Sequence, residues 1–355
     1  MANSSVIGPY PYGHKLSDIF LDVDRGVINY EYFQPYFDQV ALPLDVAKAC
    51  LGEHYSQYQA PVQVEFVKFV KLSTLRSKPR IPSYQEISTE LVDFREIHRF
   101  KLVGHLRAFG GDDVFSKTPC VFVSHRWQSI EHPDPSGTRL GQILERFDEI
   151  QRASETAMPE VFLWIDFCCL PQRLGATLSE GDLDRLRSGL GRLAEVVKSC
   201  DLLVLDSPDY IGRAWCYAEI FVWLTKVAEV GFTNNLTGSG IFKSILSNQL
   251  FTGSHSHSDA HHFDKSVVAN LRHRGFGGTE EDILAIYRPI SDYTHTTIDS
   301  ANYNMGAFEG EYLPTLIGFM CTAWHTLQQK QCTDRKDMEV CLRVIVDALK
   351  FVGAI

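Results

Sequence analysis

Three places in the chain set chemically capable groups directly after short apolar runs. CVFVSHRW ends in Ser124, His125, Arg126 and Trp127, VFLWIDFCC carries Asp166, and DLLVLDSPDY closes on Asp206 and Ser207 before RAWCYAEIF brings Trp215 and Glu219. Hydroxyl, imidazole, guanidinium and carboxylate groups can hold and polarise a polar substrate, and indoles offer a flat wall for a ring. Glu219 stands out, because it sits among Trp215, Ala218, Ile220, Phe221 and Trp223, and an ionised carboxylate is costly to bury alone. Two roles are open to it: a structural carboxylate paired with Arg126 or Arg213, or a carboxylate at the rim of a crevice, facing a ligand.

Such residues need a scaffold. Each of the three runs lacks polar alternation, as a strand buried on both faces of a parallel sheet does. Between them, TRLGQILERFDEIQRA from Thr138 places Leu140, Ile143, Leu144, Phe147 and Ile150 on one helical face, and GDLDRLRSGLGRLAEVVKSC does the same with Leu183, Leu186, Leu190, Leu193 and Val197. Strands at 120–125, 161–167 and from 201, joined by helices, predict a parallel sheet with right-handed crossovers, and ligands of such sheets bind at the carboxyl ends of the strands. WCYAEIFVWLTKVAEVGF is a strongly apolar helix ending near Gly231.

The flanks read differently. In residues 1–115, SDIFLDV, EYFQPYFDQVALPLDVAKACL, VQVEFVKFVKLSTLR and STELVDFREIHRFKLVGHLRAF carry helical spacing, broken by Pro35, Pro43 and Pro61, so this part is a mostly helical N-terminal extension. Tyr30, Tyr32, Phe33 and Phe37 are assigned to packing. An α/β domain follows over 116–300, with a loop-rich insertion near 231–282, and C-terminal helices over 301–355 cover that domain or form a dimer contact. DILAIYRPI, 282–290, is read as a further strand. His255, His257, His261 and His262 match no defined metal spacing and are read as a surface loop, so no metal site is assigned. GFGG lacks the Lys and Ser/Thr of a phosphate loop and is set aside.

Composition excludes several classes. The chain has 355 residues, 45% hydrophobic and 22% charged, as an ordinary globular protein does. A formal net charge of −10, with no Lys/Arg run, argues against binding nucleic acid through its backbone. No stretch reaches the roughly 18 apolar residues of a membrane span. The segment MANSSVIGPYPYG has no basic region followed by an apolar run, so a cytoplasmic location is expected. The nine cysteines follow no regular framework and are read as reduced buried thiols, with Cys168 and Cys169 on opposite faces of a strand.

The stretch 120–225 resembles the Toll/interleukin receptor (TIR) domain family. The likeness rests on Val121-Phe122-Val123-Ser124-His125-Arg126, where the family usually has Tyr or Phe at the position of His125, on FLWIDF with Asp166, and on LLVLDSP followed by Trp215-Cys216-x-x-Glu219. The resemblance implies a flavodoxin-like parallel sheet flanked by helices. It also implies NAD+ glycohydrolase or ADP-ribosyl cyclase activity, with Glu219 as the catalytic carboxylate. Ser124, His125, Arg126, Trp127, Asp166 and Trp215 would then surround the nucleotide, and no cofactor is needed beyond NAD+ as substrate. Homo-oligomers formed through the TIR surface or the C-terminal helices are expected, with neither nucleic acid nor membrane as partner. Two other readings stand beside it: another nucleoside or nucleotide N-glycosidase or transferase on a similar sheet, and a TIR-type signalling or assembly module without catalysis.

Overall fold

The computed structural model describes residues 15–53, 67–97, 120–153, 158, 160–173, 177–237, 241–243, 250–252, 260–303, 305–332 and 334–350. The chain divides into a helical unit, Met1–Pro61, Ile211–Thr233 and Leu284–Ile355, and an α/β unit, Val62–Tyr210 and Asn234–Ile283. The chain opens with α1 (Leu16–Ile19), the short pair β1 (Phe20–Asp22) and β2 (Val27–Ile28), α2 (Tyr30–Gln39) and α3 (Leu44–Leu51). Asn29 caps α2 by accepting from the Tyr32 amide. Pro35 does not break this helix: it lies on the exposed face, where the carbonyl it leaves without an amide partner can meet water.

The α/β unit contributes β3 (Lys68–Lys71), α4 (Leu72–Leu75), α5 (Tyr84–Ile87), β4 (Val92–Asp93), α6 (Phe94–Ile97), β5 (Cys120–His125), α7 (Thr138–Ala153), β6 (Phe162–Trp164), α8 (Asp166–Cys169), α9 (Glu180–Gly191), α10 (Leu193–Ser199) and β7 (Asp201–Leu205). Its five-stranded mixed sheet has the order β4-β3-β6-β5-β7. β5 pairs in parallel with both β6 and β7, which are the three strands the apolar runs predict, with Phe122 opposite Trp164 and Ser124 opposite Val204. The other two strands come from upstream and run antiparallel, β3 against β6 and β4 against β3. Helical spacing misreads β3. Val62, Val64 and Phe66 alternate with polar residues, and that period-two signal leads into the strand. In the stretch read as one helix from Ser88 to Phe109, Val92–Asp93 is likewise a strand, and the part from 98 onward lies outside the described residues.

After β7 come α11 (Ala214–Thr237), the short strands β8 (Ile241–Lys243) and β9 (Leu250–Thr252), α12 (Ala260–His273), α13 (Glu280–Tyr303), α14 (Met305–Gln328) and α15 (Arg335–Lys350). The expected strand at 282–290 is helical and belongs to α13. Ile283, Leu284, Ile286, Tyr287 and Ile290 are buried at helical spacing, and exposed Pro289 is tolerated on the solvent side. Thr279 and Asp282 start the helix with a reciprocal cap, the Asp282 amide donating to the Thr279 hydroxyl at 3.1 Å and the Thr279 amide to the Asp282 carboxylate at 3.0 Å. In the helical unit α14 packs on α15 and α2, and α15 on α3, around Phe33, Phe37, Leu316, Met320, Trp324 and Ile345. The C-terminal helices are thus grouped with residues 1–61 and 211–233. No helix among the described residues is long and apolar enough to cross a membrane.

Candidate functional site

Parallel pairing brings the carboxyl ends of β5, β6 and β7 to one edge of the α/β sheet. At that edge Asp166 is the first residue of α8, with its side chain 37% exposed. The Phe167 amide donates to Oδ1 at 2.6 Å and the Trp127 indole Nε1–H to Oδ2 at 2.9 Å, so both oxygens are fixed from the protein side. The Trp127 ring meets Phe167 edge to face at 5.3 Å, and His132 lies 4.6 Å from Phe167. His125 closes the group. Its side chain is 2% exposed, its Nδ1 lies 3.4 Å from the Val123 carbonyl, and its Nε2 stands 3.9 Å from Asp166 Oδ1 without a hydrogen-bond partner.

Ser124 and Arg126 are spent differently. Ser124 is fully buried, and its hydroxyl is hydrogen-bonded to that of Tyr210, so it ties β5 to the turn after β7. Arg126 donates from Nη1 to the Pro208 carbonyl at 3.0 Å, fixing the same turn. Thus the strand ends gather His125, Trp127 and Asp166 into one cluster, and Ser124 and Arg126 into the neighbouring β5/β7 turn.

Trp215 and Glu219 belong to the helical unit. The entry to α11 is held by Gln331, whose carbonyl accepts from the Ala214 amide at 3.1 Å and whose amide donates to the Gly212 carbonyl at 2.7 Å. Trp215 hydrogen-bonds to Asp337, whose carboxyl is nevertheless held above its usual range by burial and by Asp334. Glu219 is half-buried between buried Ala218 and Ile220. Burial first, and then the charges of Cys332, Glu219, Asp337 and Cys216, push the Cys341 thiol well above its ordinary value.

Several supports gave no recognisable sequence signal. Asp134 is fully buried and accepts from the Arg139 amide at 2.9 Å, the Leu140 amide at 3.1 Å and the Ile81 amide at 3.2 Å, so it starts α7 and pins the 79–82 segment to it. The GFGG stretch lies against β7: the Val204 amide donates to the Arg274 carbonyl at 2.8 Å, a Cβ on Gly275 would strike the Val204 carbonyl oxygen, and one on Gly277 would strike the Asp206 carboxylate. These glycines permit close packing on the edge strand. Cys168 and Cys169 lie in α8 rather than on a strand, and burial pushes the Cys169 thiol to about 12 and Cys168 well up, which makes both poor nucleophiles.

A cavity of about 310 Å³ lies along β7, lined by Gln142, Arg146, Asp206, Arg272, His273 and Gly275 among others. It contains none of the cluster residues, and the oriented polar groups converge at the cluster instead. Among the described residues no group of three or more His, Cys, Asp or Glu side chains is placed to hold a metal ion. His255 and His257 fall outside the described residues, and His261 and His262, read as part of the same surface loop, lie instead in the first turn of α12. Compared with protein-family models, with curated proteins and with solved structures, the chain finds no match in any of the three.

Proposed function

We propose that the chain is a TIR-type N-glycosidase that cleaves the nicotinamide–ribose bond of NAD+, as a glycohydrolase or ADP-ribosyl cyclase, with Glu219 as the catalytic carboxylate. The observation that carries this reading is the convergence of His125, Trp127 and Asp166 at the carboxyl edge of the sheet. The order β6-β5-β7 supports it, since it is the 2-1-3 beginning of the flavodoxin-like order, whose crevice takes nucleotides. Glu219 enters through the resemblance of Trp215-Cys216-x-x-Glu219.

The chemistry asks little of a general acid. Nicotinamide leaves NAD+ as a neutral base, the C1′–N bond electrons neutralising its ring nitrogen. The demand is on stabilising the oxocarbenium-like ribose, which a carboxylate meets electrostatically or through the ribose hydroxyls. Attack of water on C1′, with loss of its proton to solvent, gives ADP-ribose. Attack by the adenine gives cyclic ADP-ribose, and attack by another base gives exchange.

A second reading has its own observation. Asp166 is the carboxylate that the α/β unit itself presents at the strand ends, with its oxygens already oriented. In another nucleotide N-glycosidase on a similar sheet, Asp166 would be the group that stabilises the ribose.

One experiment tests both. Concentrated protein is incubated with NAD+, NADP+ and a nucleoside panel, free base is followed by chromatography, and the assay is repeated with Glu219→Ala and Asp166→Asn. Nicotinamide release that Glu219→Ala abolishes is the expected result. Release that survives Glu219→Ala and is lost in Asp166→Asn favours the second reading. Absence of turnover together with concentration-dependent self-association points to an assembly module and overturns both.

A further inference from the structure

The strongest unexplained feature is the facing pair His125 Nε2 and Asp166 Oδ1. The nearest acceptor to Nδ1 is the Val123 carbonyl at 3.4 Å, and a carbonyl can only accept, so a neutral ring keeps its proton on Nδ1. Nε2 then offers a bare lone pair, within a side chain that is 2% exposed, towards a carboxylate oxygen 3.9 Å away. Two acceptors face one another across a gap too long for any direct hydrogen bond. Leaving a buried acceptor unmatched is unfavourable, so the gap calls for a donor.

Geometry narrows the donor. A nitrogen about 2.9 Å from both acceptors subtends an angle of roughly 85° between them. A planar NH2 group, with hydrogens about 120° apart, reaches both with modest bending, whereas a hydroxyl has one hydrogen and satisfies one acceptor only. Beside the gap stands the half-buried Trp127 indole, oriented by its bond to the other oxygen of the same carboxylate. Asp166 is open enough for a ligand to reach.

We infer that His125 Nε2 and Asp166 Oδ1 form a two-acceptor clamp for a planar NH2 group on a heteroaromatic ring, the carboxamide of a nicotinamide or the exocyclic amine of an adenine. The clamp rests on the reading of this edge as a nucleotide site, and it selects for amino-bearing rings over their deaminated counterparts. His125 holds the ligand and takes no part in bond cleavage.

The test is binding, not turnover. The full chain is titrated calorimetrically in the cold with NAD+, with its deamido analogue (nicotinic acid in place of nicotinamide) and with its deamino analogue (hypoxanthine in place of adenine), and base release is monitored in parallel. One analogue should bind about 10- to 100-fold more weakly than NAD+, the usual cost of stranding a buried acceptor beside a charged one, and which analogue it is names the ring in the clamp. His125→Phe should weaken NAD+ to the level of that analogue and leave the analogue itself unchanged. If this variant does not fold, the analogue series on the unaltered chain still decides. Equal binding of all three ligands means that water fills the gap, and the clamp is wrong. Discrimination that persists undiminished in His125→Phe also overturns it, since the amine is then read elsewhere. Failure of every nucleotide to bind the folded chain removes the nucleotide reading and the clamp with it.

Discussion

Asp166 and Glu219 are both carboxylates next to apolar segments, yet their surroundings differ in kind. Asp166 follows a strand of the parallel core, where the turn into α8 turns the Phe167 amide onto one oxygen and Trp127 supplies the other, with water still reaching the side chain. Glu219 lies within α11, between residues that belong to the core, and its charge is felt by the buried Cys341 thiol of α15. The first position is made by topology, which delivers strand ends to one edge whatever the packing. The second is made by packing, so a change there touches the helical unit as well as any chemistry. The lesson is that loss of activity assigns a role to Glu219 only where the helical unit keeps its stability, and to Asp166 only where Trp127 and the turn into α8 stay in place.

The largest expected effect separates the two. Glu219→Gln keeps the size and removes the charge, and should lower nicotinamide release by about 10³-fold, as removal of a preorganised electrostatic stabiliser does. Asp166→Asn should lower it less, mainly through KM, because an oriented acceptor oxygen can survive. Steady-state kinetics and thermal unfolding measured side by side check this. A Glu219→Gln protein with a lowered Tm and unchanged turnover would show a structural carboxylate and break the contrast.

Stability gives the next largest effect. In the α/β unit, Arg274 is fully buried, pairs with Asp201 at 2.9 Å and donates to the Asn270 carbonyl at 3.2 Å, all beside the amino end of β7. Asp201→Ala leaves a buried guanidinium without its carboxylate, which should cost about 3–5 kcal/mol. In the helical unit the core is apolar, and Leu316→Ala should cost about 2–5 kcal/mol by cavity formation. Hydrogen exchange should localise the first loss to β5 and β7, and the second to α14 and α15. Denaturant titration gives the magnitudes.

Glycines divide by sign within the α/β unit. Gly275 has φ +96° and its Cβ would meet the Val204 carbonyl, so Gly275→Ala should destabilise by about 1–3 kcal/mol. Gly141 lies inside α7 with nothing within 4 Å of its would-be Cβ, so Gly141→Ala should stabilise by about 0.5–1 kcal/mol. Thermal unfolding of the pair reads both signs.

These cases also show what the sequence could reveal. β5, α7, β6 and β7 were legible because each is a local pattern, an apolar run or a helical stripe, and their alternation dictates a parallel core, whereas the single helix read from Gly181 to Cys200 is broken at Arg192 into α9 and α10. The strand-end placement of His125, Trp127 and Asp166 followed from that core. β3 and β4 were misread for different reasons: the alternation of Val62, Val64 and Phe66 stands ahead of β3 and was overridden by helical spacing, whereas β4, at two residues, is too short for a period to declare itself. DILAIYRPI misled because apolar runs suit either a strand or a buried helix, and the cap at Thr279 and Asp282 decides. The grouping of residues 1–61 with 284–355 is long-range packing, such as the Trp324 indole donating to the Ala41 carbonyl at 3.2 Å, which no local pattern encodes. The facing geometry of His125 and Asp166 joins two strand ends about 40 residues apart and is equally beyond any local pattern.

The smallest effect concerns acid, where the two units should respond with opposite slopes. In the α/β unit the Ser83 amide donates to Glu86 at 2.6 Å, and this bond, against some burial, holds the Glu86 carboxyl below its ordinary value of 4.5. Between the folded and unfolded values the unfolded chain binds more protons, so this contribution is present above about pH 4.5 and is lost as pH falls through the folded value. In the helical unit burial holds the carboxyls of Asp337 and Asp347 above their ordinary value of 3.8, in Asp347 despite its 2.8 Å pair with Lys350. There the folded chain binds more protons, so stability rises as pH falls through the folded values towards 3.8 and is lost on the way back up. Segment-resolved hydrogen exchange over the acid range, corrected for intrinsic rates, should therefore show protection falling around α5 while it rises in α15. Glu86→Gln should flatten the first trend and Asp347→Asn the second. If both segments lose protection in parallel in the unaltered chain, the difference between a hydrogen-bonded surface carboxylate and a desolvated one does not govern the acid response, and the contrast between the units fails at that point.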